Sequence, residues 1–152
     1  MTLSADLCYP VVADEAGMPF SVSIFSDRTP YREQLAEHLA EAGFRLLHSG
    51  GVAGLVDGSL VLLGDAVMLD CPAVDARGMA ALARLDMRIA RSGAQLVVTT
   101  SLKALDGVFG CFDQSAPQIL IDPTPAEHVV ALGHALSRSS HRGVRELSQD
   151  DR

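Results

Sequence analysis

The sequence has no tryptophan, and aromatic residues make up only 5% of its 152 positions. The stacking platforms on which single-stranded nucleic acids lay their bases are therefore not expected. Basic residues are also few, 12 Lys and Arg against 19 Asp and Glu, for a formal net charge of −7. Direct contact between this domain and nucleic acid is not expected, because gripping phosphates takes clustered Lys and Arg. Cysteine is limited to Cys8, Cys71 and Cys111, an odd number at scattered spacing that suits reduced thiols better than a disulfide framework or zinc site. No apolar run approaches the ~18 residues of a bilayer span, and no basic region followed by an apolar one opens the chain. The expectation is a cytoplasmic protein without membrane contact. The loop Gly50-Gly51-Val52-Ala53-Gly54 lacks the GxGxxG order, and no Gly-Lys-Ser/Thr occurs, so it reads as a flexible loop rather than a phosphate cradle. His38, His48, His128, His134 and His141 form no HxxxH or HExxH pair and read as ordinary surface or boundary residues.

What is present is enough for one core. At 152 residues and 48% hydrophobic content the chain is long enough for a single well-buried domain and short for two. Residues 1–19 read as an arm or extra strand. The run Phe20 to Phe25 alternates and favours β structure, and ends at Ser26-Asp27. Thr29 offers an N-cap with Pro30 at the first helical position, Leu35, Leu39 and Ala42 share a face, and Gly43 is the stop. Phe44 to His48 reads as a second strand, while residues 50–64 read as a weak helix and loop, with Leu60 to Leu63 either its last turn or a short strand. Ala66 to Leu69 is a continuous apolar run ending at Asp70, the pattern of a buried parallel strand. Met79, Leu82, Leu85, Asp86 and Ile89 fall at helical spacing before Gly93. Leu96 to Val98 leads into Thr99-Thr100-Ser101, and Gly107 and Gly110 predict that the following helix is short. Ile119 to Ile121 is a fifth strand. Thr124 to Glu127 reads as a capping box opening a last helix with Val129, Leu132 and Leu136 inward. Residues 138–152 read as a polar linker, and Ser148-Gln149-Asp150-Asp151 as the capping signature of another helix.

Strands alternating with helices predict an α/β domain: a five-stranded parallel, doubly wound, flavodoxin-like sheet with helices on both faces. Ligands of such sheets sit at the carboxyl ends of the strands, which directs attention to Asp27, Asp70, Thr100 and Asp122. Their order and spacing, 30 positions from Asp70 to Thr100 and 22 from Thr100 to Asp122, resemble those of response-regulator receiver domains over residues 20–137. Gly78 also stands where the family usually has a Gly. The resemblance implies Asp70 as the phosphate-accepting position and Asp27 and Asp70 as ligands for any weakly bound magnesium.

The sequence departs from that pattern at three positions. Ser26 stands where the family has a carboxylate, Ile119 where it has an aromatic switch, and Asp122 where it has the Lys that pairs with the phosphate. Each like-charge pair at ~4 Å and an effective dielectric of ~20 costs about 4 kcal/mol, so this inversion disfavours an aspartyl phosphate. The expected function is a non-enzymatic, receiver-like domain of pseudo-receiver type that regulates or dimerises a signalling or transcription protein without conventional phosphorylation and without a cofactor. A phospho-acceptor using Asp70, or a small-molecule-binding flavodoxin-like module, are the alternatives. The expected partners are a second copy, through Val108, Phe109, Phe112, Ile119 and Val130, and a downstream output domain. Cys71, beside Asp70, reads as a small buried apolar residue.

Overall fold

The computed structural model describes residues 12–13, 19–52 and 63–150, the last twelve by their backbone alone. Five strands form one parallel sheet: β1 (Ser21–Ser26), β2 (Arg45–Gly50), β3 (Ala66–Asp70), β4 (Gln95–Thr100) and β5 (Gln118–Ile121), in the spatial order β2-β1-β3-β4-β5. The helices are α1 (Thr29–Glu41), α2 (Ala76–Ser92), α3 (Leu105–Phe109) and α4 (Ala126–Asp150). This is the expected α/β architecture. The order reverses between β1 and β3, which places the switch point, and the crevice it opens, at the carboxyl ends of those two strands. Of residues 50–64, left open between helix, loop and strand, Gly50 ends β2 and 53–62 lie outside the described residues, as does most of the amino-terminal arm.

Two apolar layers hold the sheet between the helices. On one face Phe25, Val67, Leu69, Leu96 and Val98 meet Leu82, Leu85 and Ile89 of α2 and Val108 of α3. On the other, Val22, Ile24, Met68 and Val97 meet Leu35 and Leu39 of α1 and Val129 and Leu136 of α4. The alternation of β1, β3 and β4 residues between the layers follows from the two-residue period of a strand, and apolar residues on both faces are what a central parallel strand requires. Removing each large side chain of this kind from water contributes roughly 1.5–3 kcal/mol.

Gly43 and Gly93 stand at the expected helix ends with φ of 97° and 74°; at Gly93 the left-handed residue closes α2 by donating its N–H to the Ile89 carbonyl. The helix starts differ from expectation. Arg28, not Thr29, is the N-cap of α1, and no side chain caps that end. Thr124 does not cap α4: its hydroxyl donates to the Ile121 carbonyl at 2.8 Å, tying the loop back to β5. The capping signature at Ser148 opens no helix, because the backbone is still within α4 there; the stretch expected as a linker continues this helix to Asp150.

Asp86, read from its spacing as one of the inward positions of α2, has a specific task. It is buried, and its carboxylate accepts from the Gln114 and Ser115 N–H groups (2.9–3.3 Å) and from the Ser115 hydroxyl at 2.6 Å. A buried carboxylate needs such donors. Asp86 thereby fixes the loop from α3 to β5 and sets where β5 enters the sheet.

Candidate functional site

Asp70 ends β3 in the centre of the sheet and is only 3% exposed. Ser26, level with it at the end of β1, donates its hydroxyl to Asp70 Oδ2 at 2.7 Å. The chain then turns into α1, and this turn projects Arg28 over the strand ends. Arg28 Nε donates to Asp70 Oδ2 at 2.8 Å and Nη2 to Asp70 Oδ1 at 2.6 Å, a two-pronged pair. The same Nη2 reaches Asp122 Oδ1 at 3.1 Å, past the end of β5, where the Asp122–Pro123 peptide is cis. One cation thus joins the ends of three strands.

The hydrogen bond to Asp70 is the main cause that pushes the Arg28 guanidinium still further above its ordinary range, partly opposed by desolvation and reinforced by Asp122. Arg28 also lies 4.8 Å from the centre of the Tyr31 ring, a cation–π distance. Tyr31 donates its hydroxyl to the Thr124 carbonyl at 3.2 Å. Burial, and then the charge of Asp70, raise the Tyr31 phenol above its usual value. An open cleft of about 450 Å³ runs beside this group, bordered by Arg28, Tyr31, Gln34, Asp122 and the start of α4.

Of the four strand-end residues singled out by sequence, Asp70 and Asp122 come together and the other two do not. Asp27 is exposed, turned toward the neighbouring loop, and accepts from the Val52 N–H at 2.9 Å. Thr100 is fully buried and donates to the Cys71 carbonyl at 2.8 Å, joining β4 to the exit of β3. Asp27 and Asp70 therefore do not form the carboxylate pair that a magnesium ion would need. Both Asp70 oxygens already accept hydrogen bonds, and the nearest cation is a side chain. The residues present do not fit a divalent ion, and among the described residues no group of three or more His, Cys, Asp and Glu side chains could hold a metal.

Arg28 was not among the residues singled out by motif spacing, because that pattern assigns no role to the position after Asp27. The available signal was local: an Arg two residues after the β1 end, on the edge where two carboxylates converge. Cys71 is buried; its thiol is pushed up to about 11 by desolvation first and by Asp70 next, consistent with a packing role. Of the five residues expected at an interface, Val108 and Phe112 are buried within the chain's own core, in the layer shared with α2. Ile119 and Val130 are partly buried against the two layers, and only Phe109 stands in solvent, at 64% exposure.

No protein-family model matches the chain, and no curated protein matches it by sequence. Solved structures do match. A CheY-like response regulator receiver domain protein from Methanospirillum hungatei superposes with a TM-score of 0.61 at 12% identity, over 81% of this chain and 97% of that one. NtrX from Brucella abortus gives 0.63 at 15% identity, over 85% of this chain but 29% of its own. A putative pilus assembly protein, CpaE, from Burkholderia thailandensis gives 0.60 at 18% identity, over 78% and 98%. Among the described residues no helix is long and apolar enough to cross a membrane. The sheet order and these superpositions together show that the chain has the fold of the response-regulator receiver domains.

Proposed function

We propose that this chain is a non-enzymatic, receiver-like regulatory domain of the pseudo-receiver type, acting in signalling or transcription control through protein contacts and not through a phosphate on Asp70. The observation that carries this reading is the two-pronged Arg28–Asp70 pair. A phospho-acceptor needs a carboxylate oxygen free to attack phosphorus and positive charge in excess to receive a dianion. Here both Asp70 oxygens are engaged, and two carboxylates face one guanidinium, so the local charge is negative. The short match to NtrX, 29% of that protein's length, supports attachment of such a domain to output modules. A cytoplasmic location accords with this role.

Incubation with acetyl phosphate or beryllofluoride and magnesium tests the reading. The expected result is no mass increment on Asp70 and no change in its amide spectrum. Stoichiometric aspartyl phosphate, lost in Asp70→Asn, would overturn it.

A further inference from the structure

The helices α1 and α2, on opposite faces of the sheet, carry opposite charge on the sides they turn to solvent. On α1, Glu33, Glu37 and Glu41 are exposed at four-residue spacing and so form one row. On α2, Arg77, Arg84 and Arg91 are exposed at seven-residue spacing, which again is one row, and Arg88 lies beside it. None of the three glutamates, nor Arg77, Arg84 or Arg91, forms an ion pair among the described residues. The basic row stands out in a chain whose net charge is −7.

Apolar side chains accompany both rows. On α2 the exposed Ala76, Ala80, Ala83 and Met87 run alongside the arginines, and Met87 is 48% exposed. On α1, Ala36 and Ala40 flank the glutamates. Small side chains let two helices approach to the 8–10 Å at which they pack. On both helices the charged row lies on the same side of the apolar one when viewed from the N-terminus. Antiparallel packing therefore sets like edge against like edge and brings glutamates opposite arginines.

We propose that α2 of one copy docks against α1 of a second copy of this chain. Because the two surfaces differ and lie on opposite faces of the sheet, the contact is head-to-tail and leaves a free α1 and a free α2 at the ends. Such a contact propagates into an open chain or closes into a ring, unlike a two-fold dimer. Its ion pairs are exposed and individually weak, so the association is reversible and sensitive to salt.

Sedimentation equilibrium of the intact chain tests this at roughly 0.1 M salt, where net-charge repulsion beyond ~10 Å is screened. The wild type is expected to exceed the monomer mass at roughly 1 mM, with association weakened about tenfold at ~1 M salt. Glu33→Lys with Glu37→Lys and Glu41→Lys makes both faces basic; Arg77→Glu with Arg84→Glu and Arg91→Glu makes both acidic. Each triple variant alone is expected to be monomeric, with an unchanged circular dichroism spectrum. An equimolar mixture of the two regains association, since every α1–α2 contact between unlike copies is again complementary. Reversing the exposed Asp106 and Asp113 leaves association unchanged. A monomeric wild type, a reversed variant that still associates, or a mixture that stays monomeric would each overturn the proposal.

Discussion

Replacing Arg28 with methionine keeps much of the apolar stem and removes the charge that holds three strand ends together. The guanidinium makes three charge-assisted hydrogen bonds, two to Asp70 and one to Asp122. Breaking a buried ion pair by deleting one partner typically costs about 3–5 kcal/mol. Asp70 is 3% exposed but Arg28 is 36% exposed, so solvent screens part of the pair, and Asp70 keeps its bond from Ser26 at 2.7 Å. The expected loss is about 2 kcal/mol. In a urea titration followed by far-ultraviolet circular dichroism, an m value of ~1.5 kcal/mol/M turns this into a midpoint lowered by about 1.3 M. Asp70→Asn in the same background removes the stranded charge and is expected to recover much of the loss, with a coupling of about 1.5 kcal/mol in the double-mutant cycle. A midpoint shift below ~0.3 M, or purely additive effects, would show that Arg28 rests on Asp70 without holding the site together.

Other residues give independent tests. Asp86→Ala takes the acceptor away from the Gln114 and Ser115 N–H groups and the Ser115 hydroxyl; water reaches that partly exposed loop, so a loss of about 2 kcal/mol in chemical denaturation is expected, and a loss under ~0.5 kcal/mol would deny the clamp. Tyr31 ionises above the ordinary phenol because of burial and the Asp70 charge. The folded state then holds this proton when the unfolded state has released it, so stability falls as pH rises through the ordinary phenol range toward the raised value. An absorbance titration of the Tyr9→Phe variant, in which Tyr31 is the remaining phenol, reads this directly, and an ordinary midpoint would contradict the burial. With its thiol near 11, Cys71 is about one part in a thousand thiolate near pH 8. Alkylation of Cys71 by iodoacetamide, mapped by mass spectrometry, should be at least ~10-fold slower than that of glutathione; an equal rate would mean that the site opens.

The fold was legible because its determinants are local. β3 and β4 carry the apolar runs Ala66–Leu69 and Leu96–Val98, α2 has a clean apolar stripe, and Gly43 and Gly93 occupy the left-handed positions that end helices. The caps were less legible. The hydroxyl at Thr124 had a competing acceptor in the Ile121 carbonyl, which is distant from a helix-start motif in kind though near in sequence. The site was half legible: Asp70 and Asp122 could be placed together from strand order, but side-chain direction could not. Asp27 found a backbone donor at Val52 and Thr100 a backbone acceptor at Cys71. Both partners sit on neighbouring elements, so they become visible only after the sheet is assembled. The same holds for Asp86, whose spacing marked it as inward and whose partners lie 28 and 29 positions away.

The source of the cation changes what a strand-end site of this kind can do. Where a free divalent ion balances clustered carboxylates, occupancy varies with ion concentration and with any anion the ion attracts, so the site responds to chemistry in solution. Arg28 is covalently tethered to β1, and it contacts Asp70 through both prongs of its guanidinium. Its local concentration is fixed, its charge does not titrate in the physiological range, and it leaves the site with an excess negative charge from Asp122. An anionic phosphoryl donor would have to displace one carboxylate from Arg28 while facing the other. The Arg28 bridge also connects β1, β3 and the loop before α4. On the reading proposed above, regulation enters from outside the strand ends, through surfaces such as the charged rows of α1 and α2, while the tethered arginine ties Asp70 to Asp122.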